Sequence, residues 1–166
     1  MLIAFGMALL GKLVLSANSV IGNSEVDELE SEAINAATAI GQGTVDRIAV
    51  KGYDHTFFGG VDTAASAFKP TLGRDGVGEV AGKDTTFNDV DDYKGFQDSI
   101  STPRFGKFYV SCNVWYVTET TPFDTTATQT FMKKISVSVT NSFLIDPLDP
   151  RKLSAALTLS KLVTYR

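Results

Sequence analysis

The feature that most constrains this chain is its first fifty residues, which carry an apolar run and then a helical-period pattern with no proline to interrupt them. Residues 1–17 hold a single charge, Lys12. As a helix they would cover about 25 Å, a little short of the ~30 Å core of a bilayer. Beyond them, Val26, Leu29, Ala33, Ala36, Ala37, Ile40, Thr44 and Ile48 recur in steps of three and four, which is the spacing of one helix face. Glu25, Asp27, Glu28, Glu30 and Glu32 fill the other faces. The simplest expectation is one helix over about 1–50, roughly 75 Å long. Gly22 would be a loose point, and Gly41 and Gly43 would bend or end the rod. Gly6 and Gly11 would allow close helix packing. A cleaved export signal is a competing reading, but no basic segment precedes the apolar run.

Residues 53–166 change character. Residues 55–86 are rich in Gly, Ser, Thr, Ala and Asp and read as a long irregular loop within 53–94, with a short strand near Phe57-Phe58. Strands are expected at 95–100, 107–118, 130–140 and 152–165. In the second, Phe108, Val110, Cys112, Val114 and Tyr116 alternate with Tyr109, Asn113 and Trp115, the pattern of a strand with two unlike faces. In the third, Phe131, Ile135, Val137 and Val139 share a face that Lys133 interrupts. Residues 119–124 read as the connection between these two strands, and Asp146-Pro-Leu-Asp-Pro150 as a turn. A helix followed by successive antiparallel strands is an α+β arrangement. Two regions follow from this: 1–52, the hydrophobic and then amphipathic helix, and 53–166, a β-rich head.

Charge and cysteine usage narrow the function classes. The net charge is −4 and the fifteen Lys and Arg are scattered, so no basic stripe for nucleic acid is visible and none is predicted as a partner. Cys112 is the single cysteine; it forms no intrachain disulfide and reads as a small buried hydrophobe. His55 is the single histidine. It follows Asp54, but no nucleophile elbow accompanies the pair, so no enzyme and no catalytic residue is expected. Gly73-Arg-Asp-Gly-Val-Gly78 superficially suggests a phosphate loop, yet it follows no clear strand and opens no helix; a turn is the plainer reading. Asp89, Asp91 and Asp92, with Asn88 and Asp84 nearby, could offer oxygens to Ca²⁺, but the spacing is not an EF-hand loop and a polar turn is the plainer reading. No cofactor is required by the sequence.

The layout of a hydrophobic N-terminal helix, an amphipathic continuation, a loop and an antiparallel sheet resembles the type IV pilin superfamily, pseudopilins of type II secretion included. Phe87-Asn-Asp-Val-Asp-Asp-Tyr-Lys-Gly95 is similar to a segment of minor pilins of the mannose-sensitive haemagglutinin pilus type, where it likewise lies between helix and strands. The resemblance implies a structural subunit of an extracellular filament at the bacterial surface, inserted in the inner membrane before assembly and partnered by copies of itself. Leu2, Ile3, Phe5, Met7, Leu9, Leu10, Leu13 and Val14 would then form the packed helical core of the fibre. Pilins carry a Glu at the fifth position of the mature chain; here Phe5 stands at that number and the first acid is Glu25. The expectation is an extension upstream of Met1 or a divergent branch. A pseudopilin, or a membrane-anchored β-sandwich binding module, are the alternatives.

Overall fold

A computed structural model describes residues 2–54, 64–76, 78–122, 124–145 and 155–165, and side chains within the first 23 residues only at Leu10, 12–16, 18, 19 and Gly22. The architecture is α+β. Helix α1 (Leu2–Ala49) is continuous over 48 residues, about 72 Å, and agrees with the expected span. The expectation that Gly41 and Gly43 bend or end the helix is corrected, since α1 passes through both to Ala49. Gly41 instead marks the closest approach to the sheet. A Cβ there would collide with Leu159 Cδ1 and sit 3.4 Å from Val139 Cγ2.

The sheet comprises β1 (Gln97–Thr102), β2 (Gly106–Val117), β3 (Thr125–Thr126), β4 (Met132–Thr140) and β5 (Leu157–Thr164). Its order is β1-β2-β4-β5, all antiparallel, with β3 pairing the far end of β2. The first strand begins at Gln97 rather than Gly95, because Gly95 has φ +75° and turns the chain into it. The connection after β2 also holds an unforeseen pairing, β3, which lays Thr125 and Thr126 against Val117 and Tyr116. The segments near Phe57-Phe58 and 146–154 lie outside the described residues.

The core forms between one stripe of α1 and one face of the sheet. Ala33, Ala37, Gly41, Thr44, Val45 and Ile48 are buried, at steps of three and four that keep them on one side of the helix. They pack on β4 and β5. The stripe is made of small residues up to Gly41, so the helix axis can approach the sheet closely. From β2 the inward face is Phe108, Val110, Cys112, Val114 and Tyr116, and from β4 it is Lys133, Ile135, Val137 and Val139. The register sets Val110 opposite Val139, Cys112 opposite Val137 and Val114 opposite Ile135. Tyr109 is 57% exposed on the other face, as the alternation predicts.

Candidate functional site

Three features beyond the core carry chemistry: the free end of α1, the segment 87–95, and a group of carboxylates beside it.

Among the described residues the core contribution of α1 begins at Ala33. The rod therefore runs more than twenty residues beyond its own head. Leu10, Leu13, Val14 and Leu15 are 71%, 67%, 54% and 71% exposed. At about 100° per residue these four spread over roughly 200° of the helix circumference, wider than the seam of a two-stranded coil. Of the residues expected to form a fibre core, Leu10, Leu13 and Val14 are thus open. Leu2, Ile3, Phe5, Met7 and Leu9 lie on the helix, and their side chains are outside the described set. Among the described residues, no helix is long and apolar enough to cross a membrane.

Segment 87–95 is a staple between helix and sheet. Where α1 ends, Lys51 Nζ donates to Phe87 O at 2.8 Å. Gly52 forms a parallel bridge with Asp89, and Val90 N–H donates to Gly52 O at 3.0 Å. At the other end, Gly95 N–H donates to Cys112 O at 3.0 Å and Cys112 N–H donates to Phe96 O at 2.8 Å. Between them lies one 3-10 turn, Asp91–Tyr93. Asp89 Oδ1 accepts from the N–H groups of Asp91 and Asp92 at 3.0 and 3.3 Å, and Asp92 Oδ2 accepts from those of Asn88 and Asp89 at 2.9 and 3.2 Å. This reciprocal arrangement satisfies backbone donors on both sides of the turn, by the logic of a capping box. Phe87, Tyr93 and Phe96 pack edge to face with centroids 4.9–5.6 Å apart. Burial pushes the Tyr93 phenol up to about 12.

Asp91 does something the sequence did not reveal. Its Oδ1 accepts from Lys133 Nζ at 2.8 Å, with both side chains fully buried. Lys133, expected to interrupt the apolar face of its strand, is fully buried on that face, one residue in from the start of β4. The ammonium also donates to Tyr53 O at 2.6 Å and stands 4.2 Å from the Tyr53 ring centroid and 5.4 Å from that of Tyr116. A buried cation on this scale needs a counter-charge and a full set of acceptors. Asp91 supplies the charge, a carbonyl supplies a second oxygen, and two aromatic faces supply the remainder. Burial raises the pKa of both phenols, with the neighbouring acids adding to the rise.

Of the carboxylates named as possible Ca²⁺ ligands, Asp89 and Asp91 are therefore committed to backbone capping and to Lys133. Asp84 pairs with Arg47 at 2.9 Å. Asp92 is placed differently: one carboxylate oxygen each from Asp75, Glu79 and Asp92 lie within 4.8 Å of one another. Glu79 arrives there through the Gly-rich loop. Its Oε2 accepts from the N–H groups of Asp75 and Gly76 at 2.8 and 2.7 Å, and its Oε1 from Asn88 Nδ2 at 2.8 Å. The backbone donors of Asp75 and Gly76 in this loop accordingly hold a carboxylate of this chain. A Cβ at Gly76 would collide with that carboxylate. Asp75 also pairs with Lys69. Sequence spacing cannot find this group, because its members come from two segments thirteen residues apart.

Cys112 is buried, as its strand position predicts, and burial pushes its thiol up to about 12, far from the reactive thiolate range. His55 lies outside the described residues. A hollow of about 370 Å³ beside Trp115, Tyr116 and Leu72 is lined, among the described residues, by no carboxylate, histidine or cysteine. No family model, curated protein or solved structure matches the chain.

Proposed function

We propose that this chain is a structural subunit of a type IV pilin-like filament, polymerising through the N-terminal half of α1, with the sheet as its outer shell. The observation that carries this reading is the open apolar rod: Leu10, Leu13, Val14 and Leu15 stand exposed around a wide arc of the helix, well before the point where, among the described residues, its packing on the head begins. Burying each such side chain is worth about 1.5–3 kcal/mol. A single partner helix covers a narrow seam, so an arc this wide calls for several neighbours, and a bundle of like helices supplies them. The type IV pilin resemblance of segment 87–95 points the same way. Before assembly the same surface needs another apolar shelter, and the inner membrane is the one this reading assigns to it. The extracellular surface is then where the finished fibre stands.

Electron microscopy of the full-length protein after detergent removal tests the reading. Fibres of uniform width support it. Monodisperse single particles in the absence of detergent refute it.

A further inference from the structure

We propose that Asp75, Glu79 and Asp92 form a binding site for one divalent, oxygen-preferring cation of the Ca²⁺ type, which ties the loop before the 87–95 staple to the staple itself. The proposal stands apart from the filament reading and needs no fibre to be true.

Three carboxylate oxygens within 4.8 Å of one another are no farther apart than two ligands of one ion, since Ca²⁺–oxygen distances of about 2.3–2.6 Å put ligands up to about 4.6–5.2 Å apart across the metal. All three donors are hard oxygens, the set that suits Ca²⁺ and Mg²⁺ and does not select zinc or copper. Mutual repulsion alone would drive such a group apart in water. Here two members are fixed by other bonds. Glu79 is held by two backbone N–H groups and the Asn88 amide, and Asp92 by the N–H groups of Asn88 and Asp89. Carboxylate oxygens have more than one lone-pair position, so these bonds leave room for a metal.

A second, separate observation points to a ligand. Asp92 is fully buried, and its Oδ1 has no hydrogen-bond partner. A buried, unpartnered carboxylate oxygen is costly, and a cation shared with Glu79 and Asp75 would remove that cost. Lys69 pairs with Asp75; the ammonium and a metal would compete for that carboxylate.

The test is calorimetric titration of chelator-treated, full-length protein in detergent with CaCl₂ and, separately, with MgCl₂. The expected result is saturable binding of one Ca²⁺ per chain. Glu79→Gln or Asp75→Asn should weaken it at least tenfold, and Lys69→Ala should tighten it by freeing Asp75. Preference for Mg²⁺ over Ca²⁺ would overturn the assignment of ion type. Asp75 is exposed and its change leaves the Glu79 and Asp92 anchors in place, so Asp75→Asn decides the matter if Glu79→Gln disturbs the loop. The site is overturned if the wild type binds neither ion saturably, or if Asp75→Asn binds Ca²⁺ as the wild type does.

Discussion

Lys133 Nζ lies 2.8 Å from Asp91 Oδ1 with neither side chain reaching solvent, so a charge from an interior strand of the sheet is matched by a charge from a loop 42 residues earlier. The pair fixes where segment 87–95 sits. An apolar loop could slide over an apolar sheet face, whereas a buried ammonium accepts one arrangement of oxygens.

Removing one partner leaves the other buried and uncompensated. Lys133→Met is expected to destabilise the head by about 3–5 kcal/mol. Adding Asp91→Asn removes the stranded charge, so the double variant should be more stable than Lys133→Met alone. Denaturant unfolding of the four proteins of the cycle measures this. Simple additivity of the two changes would mean that the pair is not coupled.

The sequence showed the fold well where a periodic pattern carried the information. The steps of three and four over Ala33–Ile48 and the alternation over Phe108–Tyr116 located the helix face and the core strand to within a residue or two. It failed where one residue type has two uses. Glycine weakens exposed helices, so Gly41 read as a break; against Leu159 and Val139 it is a contact. Lysine in a strand reads as polar, so Lys133 looked like an interruption; its partner, Asp91, is distant in sequence and no local period links them. The cluster of Asp75, Glu79 and Asp92 was hidden for the same reason, because only folding joins the Gly-rich loop to the staple.

The two glycines late in α1 should respond in opposite ways. At Gly41 a side chain meets Leu159 and Val139, and overpacking of this kind costs about 1–3 kcal/mol, so Gly41→Leu should lower stability by that amount. At Gly43 a Cβ would find nothing within 4 Å. Gly43→Ala therefore gains helix propensity without a clash and should stabilise by up to about 1 kcal/mol. Thermal unfolding of the two variants decides; stabilisation by Gly41→Leu would contradict the close approach of helix and sheet.

Asp92 should give the head a component of stability that falls as pH rises. Burial holds its folded pKa above the ordinary 3.8, outweighing the N–H bonds from Asn88 and Asp89 that lower it. Between 3.8 and that raised value the folded state binds more protons than the unfolded one, so stability decreases with increasing pH there. Below 3.8 the carboxyl is protonated in both states and the effect is complete. Asp46, lowered chiefly by its bond to Lys161, contributes with the opposite sign, so the comparison must be made against a variant. In calcium-free buffer, the stability difference between wild type and Asp92→Asn should change across this window in favour of the wild type at low pH. A pH-independent difference would show that the carboxyl is not perturbed.

A charge on the free part of α1 should abolish polymerisation and spare the head. Leu13 is 67% exposed, and the core that α1 shares with the sheet begins at Ala33, about 30 Å further along the rod. Leu13→Asp should therefore leave the unfolding transition of the head within about 0.5 kcal/mol of wild type, as for other surface changes. Its cost falls on assembly: in a helix bundle the carboxylate is buried without a partner, and such a charge costs several kcal/mol in each subunit. Leu13→Ala, which removes apolar area without adding charge, should weaken fibres less. Fibre yield by sedimentation, set beside circular dichroism of the same samples, separates the two effects. Normal fibres from a folded Leu13→Asp protein would mean that this face of α1 is not in the core of the polymer.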